Sequence, residues 1–91
     1  MRIEGIRWSY RVSEKIERKH RVSRSEVDEL FDGNIGHLRK TSSGYAAYGR
    51  TEAGRYLAVF FRMTTDRWAK ILTARDMERR EVRLYRKATG K

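Results

Sequence analysis

Tyr56-Leu57-Ala58-Val59-Phe60-Phe61 is apolar at every position. The run is too short for a stable helix and rich in aromatic residues. A strand with both sides apolar must be covered on both faces, so it belongs in the middle of a sheet. Three further strand-like runs surround it, making a set of four: His37 to Thr41, Tyr45 to Thr51, Tyr56 to Met63, and Arg67 to Ala74. The connections are short. Ser42-Ser43-Gly44 makes the first turn, Glu52-Ala53-Gly54 the second and Thr64-Thr65-Asp66 the third, with Gly54 free to take a positive φ. Connections of that length join antiparallel neighbours, because a parallel crossover needs a dozen residues or more. The centre of the chain therefore reads as a four-stranded antiparallel meander.

Working outward, Ile3, Ile6 and Trp8 alternate with polar residues as a short edge strand. Ser9 can cap a helix running to about His20, with Val12 and Ile16 as a narrow apolar stripe. Lys15, Arg18 and Lys19 suit the C-terminal end of its dipole. Ser23-Arg24-Ser25-Glu26 is a capping box, flanked by Val22 and Val27 as a hydrophobic staple. That second helix buries Val27, Leu30 and Phe31 and ends at Gly33. Two helices so close together suggest a helix-turn-helix. The turn lacks glycine, however, and the following strands are too many for a minimal DNA reader. After the meander, Asp76 is expected to cap a final helix. One side of it carries Met77, Glu81, Leu84, Tyr85 and Ala88; the other carries Arg79, Arg80, Arg83, Arg86 and Lys87. The fold class is α+β: strand, two helices, four-stranded antiparallel sheet, helix.

The 91 residues suit one domain spanning 1–91. A chain of this size buries only about 60–65 % of its unfolded surface, so its core is thin. There are 22 Lys and Arg against 12 Asp and Glu, a formal charge of +10. Such an excess calls for a polyanion: nucleic acid, an anionic membrane or an acidic protein. Cysteine is absent, which excludes disulfide staples and thiolate metal sites. His20 and His37 have no metal-ligand spacing, and no metal or cofactor is expected. No apolar run approaches the roughly 20 residues that span a bilayer. Met1-Arg2-Ile3-Glu4 opens into a strand pattern rather than a signal peptide. The expected location is the cytoplasm, with no membrane association.

Glu81 is the anomaly, a carboxylate on the apolar side of an amphipathic helix. Burying it alone is costly, so it needs a cation, and Arg75 is the nearest. Tyr85 lies one turn beyond on the same side. Arg75, Glu81 and Tyr85 can thus gather at one edge of the sheet; from the residues alone, an ion pair that docks the helix is the commoner explanation. Arg50 and Arg55 flank the Gly54 hairpin and could share a phosphate, although two solvated arginines at a turn are commoner. Arg79, Arg80 and Arg83 form a basic helical face suited to attracting polyanions. His20, beside Lys19 at a helix end, is more often a cap than a catalyst. Trp8 and Trp68 fit the core better than base-stacking platforms.

These residues, taken in order, resemble the BrnT family of bacterial toxins, whose fold is like that of the RelE ribonucleases. The resemblance runs from about Ile6 to Tyr85. It comprises Trp8, then Lys19-His20-Arg21-Val22-Ser23, Val27 and Leu30-Phe31-Asp32. It continues with Gly49-Arg50-Thr51 and Gly54-Arg55, then Ile71-Leu72-Thr73-Ala74-Arg75, Glu81 and Tyr85. Three positions depart from the family pattern: Ser9 in place of an aspartate, Ile16 in place of an asparagine and Arg21 in place of a glycine. The resemblance implies a metal-independent endoribonuclease that blocks translation. It also implies a cognate BrnA-type antitoxin that neutralises the toxin in a heteromeric complex. RNA supplies its own nucleophile, the 2′-hydroxyl. The protein must then move protons and stabilise a charged phosphorane. In that scheme Arg75 and Arg50 take the phosphate, Glu81 orients Arg75 or acts as base, and Tyr85 or His20 assists the leaving group. Lys19, Arg55, Arg79, Arg80 and Arg83 would bind RNA. The competing readings are a non-catalytic RNA-binding module and an interaction protein matched to an acidic partner.

Overall fold

The computed structural model describes residues 2–90; Met1 and Lys91, the ends of the expected domain, lie outside the described residues. The elements are β1 (Gly5–Arg7), α1 (Tyr10–His20), α2 (Arg24–Glu29), β2 (Ile35–Thr41), β3 (Gly44–Arg50), β4 (Tyr56–Met63), β5 (Trp68–Asp76) and α3 (Arg79–Thr89). They make one five-stranded sheet in the order β1-β5-β4-β3-β2. The apolar run Tyr56–Phe61 lies in its central strand, as its two-sided hydrophobicity requires. The meander β2 to β5 is antiparallel throughout. The N-terminal strand adds to it in parallel, with Ile6 opposite Ala69.

Each sheet face has its own apolar cluster, because side chains alternate along a strand. Leu57, Val59 and Phe61 point to the face covered by α1 and α2, where Ile16, Val22, Val27 and Leu30 meet Ala47, Ala69 and Ile71. Ala46, Tyr48 and Ala58 point to the other face, where Tyr85 of α3 covers them. Small alanines on this second face leave room for the tyrosines.

Both N-terminal caps form as the sequence predicts. Ser9 Oγ accepts the Val12 amide, and the Ser23–Glu26 capping box is complete. The second helix passes into a wider turn over Leu30–Asn34 and is turned by Gly33 at φ 100°. The start of the last helix differs from expectation. Asp76 does not cap it; it ends β5 and receives Arg55 Nε at 2.7 Å. The cap is Glu78, paired in a capping box with Glu81. Strand propensity carried the chain two residues past Ala74, and Asp76 found a cation there. Leu84, expected on the covered side of α3, is 43 % exposed at its margin. No helix among the described residues is long and apolar enough to cross a membrane.

Candidate functional site

Arg75 lies next to the end of β5, opposite Ala58 of β4. The alternation that buries Ala74 under α1 and α2 sends Arg75 to the α3 face, where its guanidinium stacks on Phe60 at 5.0 Å. Glu81 stands in the first turn of α3 and is buried. The two form a bidentate pair: Nη1 to Oε1 at 2.7 Å and Nη2 to Oε2 at 3.0 Å. The Glu78 amide also donates to Oε1 at 2.7 Å, and the Tyr48 hydroxyl to Oε2 at 3.3 Å. Burial alone would push the Glu81 carboxyl up. The Arg75 guanidinium, the Glu78 amide and the Tyr48 hydroxyl outweigh it and hold the group below the usual carboxylate range. The same pairing raises Arg75 and keeps it charged, although desolvation opposes this.

The chain of contacts continues across the sheet. The Tyr48 hydroxyl accepts Arg39 Nε at 3.0 Å, so two cations flank one phenol and one carboxylate. His37, opposite Tyr48 on β2, lies against its ring at 5.8 Å. Arg39 is exposed and Tyr48 fully buried, so the phenol positions the guanidinium from below. Arg39 and Phe60 also line an open cleft of about 580 Å³, bounded by Thr41, Ser43 and Thr73 at the end of the sheet that carries the β2–β3 hairpin. A planar guanidinium locked by a buried carboxylate, beside a second exposed guanidinium, is suited to gripping a phosphate.

Of the residues singled out from sequence, Arg75 and Glu81 come together. Tyr85 faces the same sheet surface, but its ring packs edge-on against Tyr56 at 5.7 Å, and the phenol that reaches Glu81 is Tyr48. Arg50 lies at the far end of β3, over Tyr56, with its Nε on the Gly54 carbonyl at 3.2 Å. Arg55 does not join Arg50. It binds Asp76 and Glu26, and it donates to the carbonyls of Arg21 and His20 at 2.7 and 3.0 Å. This arginine ties the α1–α2 junction to the sheet, and the Asp76 contact raises it most. His20 contributes its backbone carbonyl there and takes no part in the chain from Arg75 to Arg39. Lys19 is exposed on α1; Arg79, Arg80 and Arg83 are exposed on α3. Sequence reading missed Arg39 and Tyr48. The available signal was the small-then-large alternation Ala46, Tyr48 on the α3 face of β3. Among the described residues no three His, Cys, Asp or Glu groups converge on a metal position.

The fold is BrnT-like. The chain is similar to the crystal structure of the Brucella abortus ribonuclease toxin BrnT, with a TM-score of 0.67 over 82 % of this chain and 97 % of that one. Sequence identity is 14 %, so the likeness is one of fold. No family model and no curated protein matches the chain. The RelE-like arrangement implied by the BrnT resemblance is therefore the one observed, with α3 lying across one face of the sheet.

Proposed function

We propose that this chain is a metal-independent endoribonuclease toxin of a bacterial toxin–antitoxin pair, acting in the cytoplasm to block translation. The observation that carries the reading is Arg75, held by the buried Glu81 carboxylate and turned onto an exposed basic sheet face. The BrnT-like fold and the name of the protein that shares it support the same reading. RNA would cross the cleft over Phe60, its scissile phosphate between Arg75 and Arg39. The 2′-hydroxyl oxygen attacks phosphorus, and the bond to the 5′-oxygen breaks. A 2′,3′-cyclic phosphate and a 5′-hydroxyl result, with one proton lost from the 2′-oxygen and one gained by the 5′-oxygen. The two guanidiniums stabilise the extra charge of the phosphorane, usually the largest single contribution to such a rate.

Glu81 is a positioning residue in this scheme. Both its oxygens are engaged, so it stays ionised to hold Arg75 and Tyr48 and does not take the 2′-proton. Arg79, Arg80 and Arg83 would draw RNA toward the sheet from outside. The partner is a BrnA-type antitoxin, for which the thin core and the excess charge leave a stabilising role.

The test is to incubate purified, antitoxin-free protein with a messenger RNA in the presence of a chelator and map the ends. The expected result is cyclic-phosphate and 5′-hydroxyl termini, abolished by Arg75→Ala and not restored by Arg75→Lys, which lacks the planar fork. RNA binding without new ends would instead identify a non-catalytic RNA-binding module.

A further inference from the structure

Beyond the cleft, the sheet face that carries Phe60 and Arg75 continues into a row of cations. Lys70 of β5 stands opposite Arg62 of β4 on one side and opposite Arg7 of β1 on the other. All three point to this face, because their neighbours Ile6, Phe61, Ala69 and Ile71 pack into or against the cluster under α1 and α2. The helix α3 packs chiefly over β2 and β3, so the row is uncovered and its three side chains are exposed. Neighbouring strands lie about 4.8 Å apart, which sets three like charges in a line within about 10 Å. Like charges placed directly opposite each other across strands repel. Asp66 offsets only Arg7, at 2.6 Å; among the described residues Lys70 and Arg62 belong to no ion pair. The adjacent row, in register from β2 to β5, contains Arg39, Phe60 and Thr73 of the cleft. Two residues along β4, about 7 Å, separate Phe60 from Arg62.

The cationic row ends beside an aromatic ring. Trp68 precedes Lys70 by two residues on the same face. It belongs to neither apolar cluster, whereas Trp8 packs against the one under α1 and α2, as the sequence predicts. The Trp68 indole lies against the backbone of Gly5, where a Cβ would stand 2.5 Å from it, and Arg7 sits 4.8 Å from its ring centre. We propose that Arg62, Lys70 and Arg7 form a track for single-stranded RNA leaving the cleft. The row takes the phosphates of nucleotides beside the scissile one, and the Arg7–Trp68 pair takes a base. The inference rests on RNA as the occupant of the cleft, but not on cleavage. A phosphodiester chain lays one negative charge per nucleotide along the row and relieves the repulsion among its cations. Basic side chains that lead to an aromatic ring suit a single strand of any sequence. A duplex offers phosphates but keeps its base faces stacked, so Trp68 selects an unpaired strand.

The probe is a 2′-O-methyl uridine decamer, which has no 2′-hydroxyl nucleophile and so reports binding alone. Trp8→Phe leaves Trp68 as the only indole; Trp8 Nε1 is buried without a partner, so this change strands no polar group. The decamer should quench the fluorescence of Trp8→Phe saturably and leave that of Trp68→Phe unchanged. A self-complementary 2′-O-methyl duplex should not quench Trp68. Arg62→Gln and Lys70→Gln should each weaken decamer binding by roughly three- to tenfold at low salt, with a salt slope shallower by about 0.7 each. Both side chains are exposed, so circular dichroism should show the wild-type fold. Lys15→Gln removes the same charge from α1, over the opposite face, and should leave the slope unchanged. An equal effect from Lys15→Gln, or an affinity untouched by Arg62→Gln and Lys70→Gln, would overturn the track. Tight binding without quenching of Trp68, or equal quenching by the duplex, would overturn the single-strand assignment. No binding of the decamer at any salt would remove the RNA reading of the cleft together with the track, whereas failure to cleave messenger RNA would leave the track intact.

Discussion

The Glu81 carboxylate has a side chain only 3 % exposed, yet it is ionised, because both Arg75 nitrogens, the Glu78 amide and the Tyr48 hydroxyl donate to it. Removing one member of a buried pair typically costs 3–5 kcal/mol. Arg75 is 28 % exposed, so water can compensate in part, and Glu81→Gln should lose about 2 kcal/mol at neutral pH. The pH dependence has a definite sign. The folded carboxyl titrates below its unfolded value of about 4.3, so its contribution is complete above that pH and disappears as pH falls through the folded value. Denaturant titrations at pH 7 and pH 3 should therefore show the wild-type protein losing stability on acidification more steeply than Glu81→Gln. Equal slopes would mean the carboxylate is not held ionised by its donors. Tyr48→Phe keeps the packing and removes only the bridge between Arg39 and Glu81. It should cost about 1 kcal/mol and weaken RNA binding more than Tyr85→Phe does, measured by filter binding under identical salt.

The helix α3 reaches the sheet because Gly36 of β2 has no side chain. A Cβ there would stand 2.5 Å from Tyr85 Cε1 and nearer still to the Thr89 methyl. Gly36→Ala should therefore push the C-terminal half of α3 outward and cost about 1–3 kcal/mol, read as a fall in the thermal midpoint. An unchanged midpoint would mean that α3 does not need this close approach. Nothing local marks Gly36 for this role, since its partners lie some fifty residues away in sequence. The elements whose signals are local were legible: the Ser23–Glu26 box, the two-sided run Tyr56–Phe61 and the Gly54 turn all form where the sequence places them. The start of α3 was misread because Asp76 is a good cap in isolation, while the observed strand keeps it beside Arg55. The site was half legible for the same reason. Arg75 and Glu81 are close in sequence, whereas Tyr48 and Arg39 join them only through strand register, which no local pattern specifies.

At the scale of the whole molecule, three groups of arginines stand out among the 22 Lys and Arg. Arg75 and Arg39 face the open sheet, Arg50 and Arg86 flank Tyr56 at the other end of the strands, and Arg79, Arg80 and Arg83 cover the outside of α3. These groups should act on different steps. An arginine that contacts the scissile phosphate alters the rate at saturating RNA, whereas an arginine that only attracts RNA alters affinity and its salt dependence. For single-stranded RNA the slope of log affinity against log salt is about −0.7 per phosphate neutralised, so about four contacts would give a slope near −3. Replacing Arg79, Arg80 and Arg83 together by alanine lowers the formal charge from +10 to +7. The triple variant should bind RNA more weakly at low salt, with a slope shallower by up to about 2. Its cleavage rate at saturating RNA should match wild type, and Arg75→Ala should behave in the opposite way, losing the rate while keeping most of the slope. A triple variant with normal affinity and a lost rate would move the reacting phosphate onto the outer surface of α3 and away from the Arg75–Glu81 pair.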